Sequence, residues 1–310
     1  MTRHFLEITD LTVDELDRVL ALAVTPPKPV LAGRGVALLF EKPSARTRHS
    51  SEMAVVNLGG HPISVAASEV DLDHRETAED VARTFANFHA AIGARVFDHD
   101  VLRRMAAAID DQGFIVPVIN LLSDVAHPCQ ALADALTLRE TFGPDLVGRT
   151  LTYVGDANNV AKSLAFAGVA LGMEIRIASP EGYQFGGGDL AAIAEYAVDA
   201  GRGGSIVQSD DVEGLSIGVD AFYTDAWTSM GQEAEAEQRR IDLARYAVTE
   251  ELLALAEGAV VLHCLPAHRG EEITNGVLES ASAKVWRQVF HRRTAMVGLL
   301  SFLAEAGSIR

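Results

Sequence analysis

Sulfur is scarce in this sequence. Two cysteines, Cys129 and Cys264, stand in 310 residues, which excludes a disulfide-stapled scaffold and any paired-cysteine metal motif. The ten histidines show no HExxH spacing, so no metal and no other cofactor is expected. Long apolar runs are also missing. None approaches the roughly 20 residues that a membrane span requires, and the N-terminal stretch MTRHFLEITDLTVDEL has no apolar core of the kind a signal peptide carries. A cytoplasmic protein is the expectation. Positive charge is in short supply as well: 26 Lys and Arg face 43 Asp and Glu, a net charge of −17. A nucleic acid or an anionic membrane needs a broad basic surface, so neither is an expected partner.

What is present is apolar and periodic. At 48% hydrophobic, a chain of this length can bury a core in each of two domains. Short apolar runs read as buried strands at 35–40, 61–66, 90–97 and 114–121, with helical spacing between them. The stretch 127–143 reads as a helix closed by Gly143 and Pro144. A second series follows, with strands in RTLTYVG, MEIRIAS, GSIVQS, DAFYTD and AVVLHCL. Alternation of this kind predicts an α/β protein of two domains, each a parallel sheet flanked by helices. The expected boundaries are 1–143, 144–284 and 285–310, the last being a C-terminal helix that packs back across the domains.

Against the acidic background, GVALLFEKPSARTRHS gathers Lys42, Arg46, Arg48 and His49 after the first strand. Ser44 and Thr47 offer hydroxyls, a helix start offers free amides, and the arginines offer forked cationic donors, which together describe an anion cradle. A basic surface turn with a serine cap is the plainer alternative. Three more stretches end strands: SDVAHPCQ with His127 and Gln130, TDAWTSMG with Asp225, and VVLHCLPAHRG with His263 and Cys264. Each has an ordinary reading alone, as a cap, a turn former or a buried thiol. Ligands of open parallel sheets bind beyond the carboxyl ends of the strands, and His, Asp, Cys and Arg all stand there.

The stretches KPSARTR, HPCQ, DAWTSMG and HCLPAHRG, in this order and spacing, closely resemble the aspartate and ornithine carbamoyltransferase family over essentially the whole chain. The DxxxSMG and HCLP forms are similar to those of the ornithine enzymes. The resemblance implies transfer of a carbamoyl group from carbamoyl phosphate to L-ornithine, in a homotrimer with sites at subunit interfaces. It implies that Ser44, Ala45, Arg46 and Thr47 hold the phosphate, and that Arg95, His127 and Thr47 donate to the carbamoyl oxygen. Gln130 and the carbonyl of Leu265 would fix the carbamoyl amide, and Cys264 and Arg292 would reach the same substrate. Asn159, Asp225, Ser229 and Met230 would hold ornithine, while Cys264 with Asp225 would face its δ-amine.

The chain departs from the family's usual residues at Ser51, where phenylalanine is common, at Asp71, where many relatives have glutamine, and at Phe290 and His291. Other readings are a carbamoyltransferase for another amine such as putrescine or a modified ornithine, a cysteine hydrolase using Cys264 and His263, and a noncatalytic paralogue. Adjacent strand residues point to opposite faces, which disfavours the hydrolase pair.

Overall fold

The computed structural model describes residues 2–228 and 233–309. They form two compact units, one from the residues up to Ala133 together with those from Phe290 onward, the other from Asp134–Val289. Two helices, Pro128–Phe142 and Val285–Glu305, contain the points of division. Among the described residues no helix is long and apolar enough to cross a membrane.

The first unit carries a parallel sheet of β1 (Gly35–Phe40), β2 (His61–Ala66), β3 (His89–Arg95) and β4 (Val118–Leu122), in the order β2-β1-β3-β4. The second carries β5 (Thr150–Val154), β6 (Glu174–Ala178), β7 (Ser205–Ser209), β8 (Ala221–Thr224) and β9 (Val260–His263), in the order β7-β6-β5-β8-β9. Every pairing in both sheets is parallel, the α/β architecture the alternation predicts. Burial follows position in the sheet. The inner strand β3 is apolar and buried along its middle, whereas the edge strand β2 alternates between exposed and half-buried residues, as an edge covered on one face does.

The fourth strand starts later than the apolar run suggests. It begins at Val118, because Pro117 has no amide to donate to the ladder. Ser51, on the helix Ala45–Asn57, is 2% exposed and lines a narrow apolar cavity with Val36, Leu38, Val55 and Met296. The small side chain therefore leaves unfilled core space under the helix that opens at Ala45.

Asp71 and Asp73 both stand in the left-handed region, at φ 51° and 59°, which aspartate tolerates better than branched residues. Asp73 accepts both forks of Arg104 at 2.8 and 2.9 Å, and Arg104 also grips Glu79. That clamp holds the Glu79 carboxyl down at about 2. Asp71 and His74 are left exposed at the tip of the turn.

Candidate active site

Ser44 caps the helix Ala45–Asn57, its side chain accepting from the Thr47 amide at 3.4 Å, and the first intrahelical bond runs from the Arg48 amide to the Ser44 carbonyl. The amides of Ala45 and Arg46 therefore have no intrahelical partner, and the helix start presents its positive end. Arg48 turns away from it: the guanidinium pairs with Glu52 at 2.9 Å on the exposed face. Of the two arginines in the motif, Arg46 is the half-buried one.

Arg292, reached 245 positions later in the chain, ties the pieces together. It is 7% exposed; Nη2 donates to the Thr47 hydroxyl at 3.1 Å, and Nη1 donates to Gln130 Oε1 and to His127 Nε2, the latter at 3.3 Å. Arg95, at the end of β3, donates to the same Thr47 hydroxyl at 3.4 Å. The first unit thus collects Thr47, Arg95, His127, Gln130 and Arg292. Because Nε2 of His127 accepts from a guanidinium, its ring proton belongs on Nδ1.

Burial first, and then the charges of Arg292, Arg95 and Arg46, hold the His127 imidazole well below its ordinary pKa. The ring is neutral at pH 7, an uncharged donor through Nδ1 among three guanidinium groups. That combination suits a dianion beside a polarised carbonyl.

Burial also depresses His99, which is 2% exposed and bonds Ser123 Oγ at 2.8 Å. Both histidines stay neutral in the fold while their unfolded counterparts protonate below about pH 6.5. The stability they contribute is present above that pH and is lost as pH falls toward their folded values. Each adds a slope of up to about 1.4 kcal/mol per pH unit. Denaturant unfolding at pH 7, 6 and 5 is expected to show the midpoint falling, with a shallower fall in His99→Gln. An unchanged slope in that variant would remove His99 from the account.

In the second unit the ends of β5, β8 and β9 lie side by side, since β8 pairs with both of the others. The Cys264 thiol donates to Asp225 Oδ1 at 2.9 Å, and the Asn158 side-chain amide donates to Asp225 Oδ2 at 3.2 Å. Asn158 is also the N-cap of the helix Asn159–Ala170, its Oδ1 accepting from the amides of Val160 and Ala161. Asn159 occupies the first position of that helix and is half-buried. Asn158 is a member of the cluster that the sequence reading passes over in favour of its neighbour. Its signal is there, an asparagine preceding a helical run.

His263 and Cys264 point to different partners. His263 is fully buried, with Nε2 donating to Glu272 Oε1 at 3.0 Å and Nδ1 accepting from the Leu265 amide at 2.9 Å. It is therefore a scaffold for the loop after β9 rather than a base for Cys264, which removes the hydrolase reading. Leu265 sits at φ 61°, a left-handed conformation uncommon for leucine, and the bond from its amide to His263 holds it there.

A second buried charge pair braces the same region. Arg239, 6% exposed, pairs with Asp156 and donates to the Trp227 carbonyl, while its guanidinium lies 4.9 Å from the Tyr183 ring centroid. One guanidinium therefore grips the residue before, and stands on the helix after, the stretch that contains Ser229 and Met230. Those two residues lie outside the described ones. Burial pushes the Asp156 carboxyl up to about 6, against the pull of Arg239 and with the repulsion of Asp225, so the pair carries full charge only above that pH.

Residues 3–140 match the family described as aspartate/ornithine carbamoyltransferase, carbamoyl-P binding domain, and residues 147–303 match its Asp/Orn binding domain. An ornithine carbamoyltransferase of Acidothermus cellulolyticus is 45% identical over 100% of this chain and 99% of its own. One from a Parafrankia species is 43% identical over 98% of this chain and 96% of its own. The solved structure of the ornithine carbamoyltransferase from Pyrococcus furiosus has a TM-score of 0.89 and 39% identity, covering 97% of this chain and 96% of that one. Two domain matches that together span the sequence, and relatives of this identity over its full length, establish that the chain belongs to the aspartate/ornithine carbamoyltransferase family, as a carbamoyl-group transferase of the ornithine type.

Proposed function

We propose that the protein transfers the carbamoyl group of carbamoyl phosphate to the δ-amine of L-ornithine, giving L-citrulline and phosphate. The observation that supports this most is the single guanidinium of Arg292, which joins Thr47 of the cradle to His127 and Gln130. In this reading the amides of Ala45 and Arg46, the hydroxyl of Ser44 and the Arg46 side chain hold the phosphate, and the one hydroxyl proton of Thr47, whose oxygen accepts from Arg95 and Arg292, is left for the carbamoyl oxygen. Arg95, Thr47 and the neutral His127 donate to the carbamoyl oxygen as it gains charge. Gln130, with Cys264 and the Leu265 carbonyl, fixes the carbamoyl amide.

Asn159, Asp225, Ser229 and Met230 hold ornithine. Its δ-amine, like that of lysine with a pKa of about 10.4, must lose a proton before it attacks. Asp225, bonded to the Cys264 thiol, positions the amine and takes that proton. The new N–C bond forms, the C–O bond to phosphate breaks with its electron pair leaving on phosphate, and the second proton of the attacking nitrogen passes to the departing phosphate. No cofactor enters the scheme.

Residues 1–143 serve the phosphate donor, 144–284 the amine acceptor, and 285–310 return Arg292 to the donor side. The working form is a cytoplasmic homotrimer serving arginine biosynthesis, and sedimentation at micromolar concentration tests the assembly. A colorimetric citrulline assay with carbamoyl phosphate tests the reaction. Product from ornithine is expected; product only from putrescine or N-acetylornithine would overturn the acceptor assignment.

Arg239 tests the acceptor half separately, because it holds Trp227 and Asp156 without belonging to the reacting groups. Arg239→Met is expected to raise KM for ornithine at least about tenfold, since the contacts to Asp156 and to the Trp227 carbonyl are both lost and one charge-assisted hydrogen bond alone contributes about 1.5–3 kcal/mol, with KM for carbamoyl phosphate unchanged and partial rescue by Arg239→Lys. Equal rises in both KM values would make Arg239 a general stability element.

A further inference from the structure

We propose that His268, Glu271 and Glu272, on the loop after β9, form a divalent-cation site separate from the transfer chemistry. Glu272 is fully buried, yet only one of its carboxylate oxygens is engaged. Oε1 accepts from His263 Nε2 at 3.0 Å and from the His268 amide at 2.6 Å. Oε2 has no hydrogen-bond partner among the described residues, and it lies 4.0 Å from His268 Nδ1. A buried carboxylate oxygen without a donor is costly, and a cation is the partner that removes the cost.

The neighbouring groups complete a ligand set. Glu271 Oε2 lies 3.8 Å from His268 Nδ1, and one donor atom from each of the three residues falls within 4.8 Å of the others. The Glu271 amide donates to the His268 carbonyl at 2.9 Å, a turn that brings residues three and four apart to one side. Two metal bonds of about 2.0–2.2 Å at octahedral or tetrahedral angles set ligand atoms roughly 2.8–3.6 Å apart, so Nδ1, now 3.8 and 4.0 Å from the two carboxylate oxygens, must close in by roughly 0.2–1 Å. His268, with its side chain 47% exposed, has the freedom to do so.

The supporting contacts are those of a metal shell. Glu271 gives its other oxygen to Arg240 at 3.0 Å, and Glu272 gives its other oxygen to His263. One imidazole nitrogen and two carboxylate oxygens, without sulfur, suit a borderline divalent ion such as Co2+, Mn2+ or Zn2+, with water in the remaining positions. The set Asp225, His263 and Cys264 also clusters, but both nitrogens of His263 are already engaged and its third member is a thiol.

Co2+ titration of the full chain, followed by visible absorption, distinguishes these. One Co2+ per chain is expected, with d–d bands and no thiolate charge-transfer band, and with a rise in melting temperature as Co2+ is added. Cys264→Ser should leave that binding unchanged. His268→Ala and Glu271→Gln, both at exposed or half-exposed positions where folding is not at stake, should each weaken it at least about tenfold. A thiolate band, loss of binding in Cys264→Ser, or unchanged affinity in both ligand variants would overturn the site.

Discussion

Replacing Arg292 with methionine is expected to lower kcat/KM for carbamoyl phosphate by about a thousandfold or more, while the protein stays folded. The magnitude follows from what the guanidinium does. It makes hydrogen bonds to Thr47, Gln130 and His127 in a place nine-tenths buried, and each bond to a charged group contributes about 1.5–3 kcal/mol. Removing a single oxyanion donor from an enzyme costs about a hundred- to a thousandfold in rate, and here the loss also frees the residues that Arg292 holds in register. Methionine keeps the apolar length of the side chain, so packing of the last helix is largely preserved.

A second readout separates this from simple misfolding. Arg292 is the largest of the charges that depress His127, after burial itself, so the His127 pKa should rise in the variant. The ring then begins to protonate on the acid side, which NMR of the imidazole can follow. Arg292→Lys should retain the depression of His127 but not the forked contact to Gln130 and Thr47. Near-normal kcat/KM in Arg292→Met would mean that the cradle and the HPCQ stretch act without it.

The fold was legible because each level of the sequence agrees with the others. Runs such as GVALLF and HPISVA become β1 and β2 with the same limits, since turn residues bracket them on both sides. The late start of β4 at Val118 is a proline effect that hydrophobicity alone does not register. In the site, motif residues were legible and their partners were not. Asp156 and Arg239 are 83 positions apart, and His263 and Glu272 are joined through a loop whose course no periodicity encodes. A single sequence names the acid or the base; only the fold says which meets which. Arg48 fails for the opposite reason, because Glu52 one helical turn away was a local competitor for its charge.

Asp225→Asn is the sharpest test of the acceptor half. Citrulline formation is expected to fall by about a hundred- to ten-thousandfold, the usual range for loss of a positioned base, with KM for ornithine raised and binding of carbamoyl phosphate unchanged. The carboxylate accepts from the Cys264 thiol on one oxygen and from Asn158 on the other, so it serves as an anchor for a cation and as a proton acceptor together. An amide of the same shape keeps one acceptor and loses both the charge and the basicity. Cys264→Ser should cost less, because a hydroxyl also donates to Asp225. The double variant should cost less than the product of the two single losses, since both side chains act through one hydrogen bond. Fully multiplicative losses would show that Cys264 and Asp225 act on the amine separately, and the thiol-to-carboxylate bond would then be a feature of packing rather than of proton transfer.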